Sequence, residues 1–165
     1  VPEDMTTVEE RLQALEDRAE IAQLRAHYCH VLDHRDWPAL AELFTADGEF
    51  QGLAHAKGRA EILHFFSKTV DPMAEGFWHF CTNPTVHLDG DRATGRISIQ
   101  YLSQVSGTSY VSAGHYDDTL MREDGVWKFR KRQITFYYMA PLAEGFTGRP
   151  TYIDIDGRPL VPQPC

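Results

Sequence analysis

Three features of this 165-residue chain predict an α+β fold, a cone-shaped α+β barrel in which N-terminal helices pack on a curved, mostly antiparallel sheet. Apolar residues recur at helical spacing through the first part of the chain. Beyond Gly76 the period falls to two. The separators there, Leu88-Asp89-Gly90-Asp91, Ser106-Gly107 and Glu123-Asp124-Gly125, are short turn sequences suited to antiparallel neighbours. Helices followed by a meander place the helices on one face of a sheet.

Each element has its own signal. Thr6 or Thr7, followed three residues later by Glu9 or Glu10, fits a capping box in which hydroxyl and carboxylate satisfy orphan amides reciprocally. Val8, Leu12, Leu15, Ala19, Ala22, Leu24, Tyr28 and Val31 then carry one helix to about Asp33. Asp36 caps a second helix with Pro38 in its first turn, where a missing amide proton costs nothing, and Leu40, Leu43 and Phe44 form its buried stripe. Asp47-Gly48 turns the chain into a short strand around Phe50. Gly58 to Lys68 reads as a third helix that stops before Asp71-Pro72, because the residue before proline avoids helical geometry. Phe77–Leu88, Ala93–Val105, Ser109–Arg122 and Val126–Tyr138 read as four strands. Residues 1–5 read as an appended remnant or a disordered start, 6–142 as a single domain, and 143–165 as an irregular, Pro- and Gly-rich C-terminal arm.

Composition narrows the function. With 42% apolar and 12% aromatic residues the chain has the makings of one sizeable core and of an aromatic-walled pocket. The net charge of −8 opposes nucleic acid and anionic membrane, whose binding rests on Lys and Arg. Cys29, Cys81 and Cys165 are scattered, which argues against a disulfide framework or a structural zinc site. Neither a long apolar run nor a basic-then-apolar leader is present, so the expected setting is soluble and cytoplasmic. No G-x-S-x-G, P-loop or G-x-G-x-x-G supports a serine nucleophile, nucleotide binding or dinucleotide chemistry.

Two stretches carry candidate chemistry. Tyr28–Phe50 places Asp33 where an apolar helix is about to stop, and Phe77–Asn83 places His79 on the same strand face as Phe77 and Cys81. If the two meet, Asp33 fixes the imidazole tautomer and steadies the imidazolium once the other nitrogen has taken a proton. Taken alone, Asp33 is equally well a helix-terminal residue bonding local backbone, and His79 a satisfied strand histidine. Tyr28, five residues before Asp33, either donates to a substrate carbonyl or is a core aromatic with a wet tip. Tyr101, Tyr110 and Tyr116 are weaker candidates of the same kind, and Phe50 and Trp78 are expected in the pocket wall. His115 shares parity with Val111 and Ala113 and is either a second pocket acid or a sheet-face histidine. His27, His30 and His34 lie on one helical face beside Arg25 and Arg35, a basic set expected to point to solvent, and a metal needs further ligands from elsewhere, so no metal is assigned.

The run RAEIAQLRAHYCHVLDHRDWPALAELFTADGEF, then KGRAEI, FWHFCTN and GHYDDTLMREDGVWKFRKR, resembles the SnoaL-like branch of the nuclear-transport-factor-2-like superfamily, over roughly Val8 to Leu142. Within it the pattern is similar to the scytalone dehydratase, bile-acid dehydratase and hexachlorocyclohexane dehydrochlorinase group. The resemblance implies catalytic roles for Asp33 and His79, and for Tyr28 the place of a tyrosine in the bile-acid enzymes. It further implies cofactor-free elimination from a small hydrophobic organic substrate in a closed cone, and a homo-oligomer, trimer or dimer. Leu32 stands where scytalone dehydratase has a tyrosine, and Tyr101 where the bile-acid enzymes have an acid, so neither named substrate carries over.

Overall fold

The computed structural model describes residues 7–145. The long helix α1 (Val8–Asp33) begins at Thr7, whose hydroxyl accepts from the Glu10 amide while the Glu10 carboxylate accepts from the Thr7 amide. Thr7→Ala removes one half of this box and is expected to cost about 0.5–1 kcal/mol in urea unfolding. An unchanged midpoint would show that the first turn is already frayed. Ile21, Leu24, Tyr28 and Leu32 are buried, whereas Val8, Leu12 and Leu15 at the helix start are exposed, so the apolar stripe packs only along its second half.

Asp36 caps the short α2 (Trp37–Glu42), accepting from the Ala39 amide. Phe44 falls outside this helix and opens β1 (Phe44–Gln51), which is irregular across Asp47-Gly48. β2 (His55–Lys57), which the sequence did not signal, pairs antiparallel with β1. α3 (Arg59–Phe65) runs into a π-helical turn (Phe66–Val70) and a 3-10 turn (Asp71–Met73), so helical geometry continues past the expected stop. Arg35 holds that extension by donating to the Asp71 carbonyl and carboxylate and to the Ala74 carbonyl.

The remaining strands are β3 (Gly76–Thr82), β4 (His87–Asp89), β5 (Arg92–Val105), β6 (Thr108–Glu123) and β7 (Val126–Pro141). The single strand expected over 77–88 is split at Asn83-Pro84, where Asn83 takes φ 54°. Ser106-Gly107 and Asp124-Gly125 both have two positive φ angles, the geometry of tight hairpin turns. Sheet order is β2-β1-β7-β6-β5-β3, with β4 on β5 and β1 parallel to β7. The sheet is therefore mixed and open, with β2 and β3 at its edges.

Two irregularities in the β6–β7 pairing bend it, one between Ala113 and Gly114 and one between Thr119 and Leu120. At the first, a side chain on Gly114 would run into the Thr135 carbonyl, so glycine is required by close approach. The helices cover the inner face, and the core lies between it and α1. No helix among the described residues is long and apolar enough to cross a membrane.

Candidate active site

The last residue of α1 and the middle of β3 meet. Asp33 Oδ1 lies 2.7 Å from His79 Nδ1, and Asp33 Oδ2 accepts from the His79 backbone amide at 3.1 Å. Strand alternation brings this about, since His79 pairs with Tyr101 and faces inward with Phe77 and Cys81. Both partners are largely buried, with side chains 13% (Asp33) and 8% (His79) exposed. With Nδ1 carrying its proton toward the carboxylate, Nε2 remains a free lone pair, and no described residue hydrogen-bonds it.

Burial is the largest influence on the His79 imidazole and pulls its pKa below the ordinary 6.5; the Asp33 hydrogen bond and charge pull it back up, and Arg132 adds to the lowering. The neutral ring is thus the stable form near neutrality. The unfolded chain takes up this proton first, so the neutral ring's contribution to stability is whole above about pH 6.5 and lost as pH falls through the lower folded value. Urea midpoints are expected to drop between about pH 7 and 5, and His79→Gln should lack that part of the slope. Identical slopes would count against the assigned shift.

His79 borders a narrow, mainly apolar cavity of ≈ 60 Å³ to which Tyr28, Leu32, Phe50, Phe77 and Tyr101 also contribute. The His79 and Tyr101 rings lie 4.7 Å apart. Tyr28 is fully buried, and burial drives its phenol pKa, like those of Tyr101 and Tyr116, above the usual value, so all three stay protonated donors. Val70 and Met73 add further lining from the helical extension after α3.

Three expected pocket residues stand elsewhere. Trp78 is 58% exposed, because its neighbours Phe77 and His79 take the inward positions of β3. His115 is on the outer sheet face: Tyr116 is the inward residue of β6, and His115 instead bonds the Tyr137 hydroxyl at 2.6 Å and Asp117 at 3.0 Å. Tyr110 pairs with Ser103 and Pro141 near the strand end and is absent from the cavity wall. His27, His30 and His34 are exposed, and no group of three or more His, Cys, Asp or Glu among the described residues is placed to share a metal.

Behind Tyr28 is a buried ionic cluster with no signal as such in the sequence, and Arg25, expected to point to solvent, is 2% exposed within it because it pairs with Asp118. Asp118 accepts from Arg25 Nε at 2.9 Å and from Arg132 Nε and Nη2 at 2.8 and 3.1 Å. The Arg132 guanidinium lies 4.2 Å from the Tyr28 ring centre and 4.1 Å from those of Tyr116 and Phe129. For Arg132 a signal existed: the inward apolar positions of β7 change parity between Phe129 and Ile134. One extra residue in between, here Arg130, turns Arg132 inward.

The model of the SnoaL-like domain matches residues 13–133. The chain belongs to this family. A gamma-hexachlorocyclohexane dehydrochlorinase of Sphingobium indicum is 29% identical over 137 residues, 80% of this chain and 88% of that protein. The crystal structure of a LinA-type3 hexachlorocyclohexane dehydrochlorinase from Novosphingobium barchaimii superposes with TM-score 0.76 at 29% identity, covering 82% of this chain and 96% of that one. An NTF2-like protein with a cystatin-like fold from Novosphingobium aromaticivorans gives 0.69 at 36% identity, covering 82% and 92%. Helices on a curved, unclosed mixed sheet are common to this SnoaL-like chain and the dehydrochlorinase structures.

Proposed function

We propose that the protein is a carbon–oxygen lyase of the dehydratase type, acting without a cofactor on a small hydrophobic cyclic or polyketide-like carbonyl compound. The observation that carries this reading is the 2.7 Å Asp33–His79 hydrogen bond at the wall of an apolar cavity. It supplies a base with its orienting group, and the mainly apolar lining favours a hydrophobic guest. The curated relatives are named for dehydrochlorination, another elimination, which supports the reaction class.

In this mechanism His79 Nε2 removes the proton on the carbon next to the carbonyl. Asp33 remains a carboxylate and stabilises the imidazolium. Tyr28, kept protonated by burial, donates to the carbonyl oxygen as negative charge builds there. The imidazolium then returns its proton to the departing hydroxyl, which leaves as water and regenerates the neutral base. One ring serves both steps, so both groups leave from the same face of the substrate.

The test is a panel of cyclic and acyclic β-hydroxy ketones, followed by conjugated enone absorbance and product mass, with α-carbon deuterium exchange in D2O read alongside. Enone formation with loss of water is expected. A double-bond shift without mass loss would replace the lyase by an isomerase using the same base. Neither turnover nor exchange across the panel would favour a non-catalytic binding or assembly role.

A further inference from the structure

Cys29 and Cys81 are 52 positions apart, yet their sulfurs lie 3.4 Å from each other. Cys29 sits one helical turn before Asp33 on α1, and Cys81 two residues after His79 on the inward face of β3. The pair therefore joins the same two elements as the Asp33–His79 contact, immediately beside it. The elimination mechanism uses neither sulfur.

The two thiols are unlike. Cys29 is buried, while Cys81, on the edge strand β3, is half-buried. The hydrogen bond between them is the main cause of a lowered thiol pKa at Cys81, aided by the charges of Arg132 and Arg25; with burial, it raises that of Cys29. This asymmetry suits an attacking sulfur and a resolving one.

We propose that Cys29 and Cys81 are a thiol–disulfide site that accepts a small organic disulfide, and that closing it changes the setting of His79. The Cys81 thiolate attacks one sulfur of the reagent and expels a small thiolate. The Cys29 sulfur, giving up its proton, attacks Cys81 and expels the second. Two protein thiols lose two electrons, the reagent gains them, and the two protons end on the two small thiols. A disulfide bond is about 2.05 Å long, so the sulfurs must close by more than 1 Å. The 2.7 and 3.1 Å contacts of Asp33 join the same two elements, so drawing these together at the cysteines is expected to alter them.

The experiment treats the full chain with glutathione disulfide, then counts free thiols by alkylation under denaturing conditions, maps cross-linked peptides and records the His79 ring resonances by NMR. The expected result is joint loss of the Cys29 and Cys81 thiols in one cross-link, reversed by dithiothreitol and retained in Cys165→Ser. Tm should rise by about 5–10 °C on oxidation, because a long loop is closed. The His79 resonances should shift and return on reduction. Cys81→Ser should abolish the cross-link. A lasting mixed disulfide on Cys81, a bridge to Cys165 instead, or two thiols that stay alkylatable would overturn the site. A Cys29–Cys81 bridge with unmoved His79 resonances would overturn its coupling to the dyad. None of these outcomes depends on the elimination reading.

Discussion

His79→Ala is expected to lower turnover of the best substrate by about 10²-fold or more, the usual contribution of a positioned general base. Among the described residues lining the cavity, the ring is the one basic group. Its Nδ1 is committed to Asp33, so only Nε2 is available for a substrate proton. The loss should appear in kcat, because the substitution removes the proton acceptor while the other lining side chains remain. Asp33→Asn should be milder if its amide oxygen still accepts from Nδ1, but its imidazolium would have no counter-charge. Circular dichroism of both variants separates loss of chemistry from loss of fold. Equal turnover by wild type and His79→Ala would remove His79 from the mechanism.

The largest expected effect on stability is at Asp118. This carboxylate is fully buried between two arginines, with Arg25 2% and Arg132 0% exposed. Asp118→Asn leaves two like charges in the core with no counter-charge, a situation that costs about 3–5 kcal/mol. That is a large part of the roughly 5–15 kcal/mol by which domains are stable. Unfolding in urea should show the loss as a fall in midpoint at unchanged slope. Arg25→Met is the informative comparison. It removes one cation and leaves the two-bonded Asp118–Arg132 pair under its three aromatic rings, so a smaller loss is expected. Equal losses in the two variants would mean that packing, not charge, sets the cost.

Local features were the legible ones. The Thr7–Glu10 box, the end of α1 at Asp33, the Asp36 cap and the two positive-φ turns each depend on a few neighbouring residues, and the structure has them where the sequence puts them. The inward set of β3 followed from alternation alone. What was hidden depends on partners far along the chain. β2 is three residues long and exists through β1, and the parallel β1–β7 pairing has no local signature. Pro84 was a readable sign that the 77–88 strand must break. His115 was given the wrong face because parity on one strand has no sign until a neighbour supplies it; Tyr116, opposite Ile97, supplies it. Arg132 stayed hidden in a basic run until the extra residue at Arg130 was taken into account.

The second hydrogen bond of Asp33, to the backbone amide of His79, makes the helix end a checkpoint on strand assembly. Side chains alternate across a strand, so a slip of one residue would turn Trp78 or Phe80 inward and deprive the carboxylate of its ring partner. Only the native alignment satisfies both oxygens at once. A chain that has settled into a neighbouring alignment lacks the pair altogether, so the amount of intact Asp33–His79 contact in a preparation also measures how much of it has zipped correctly.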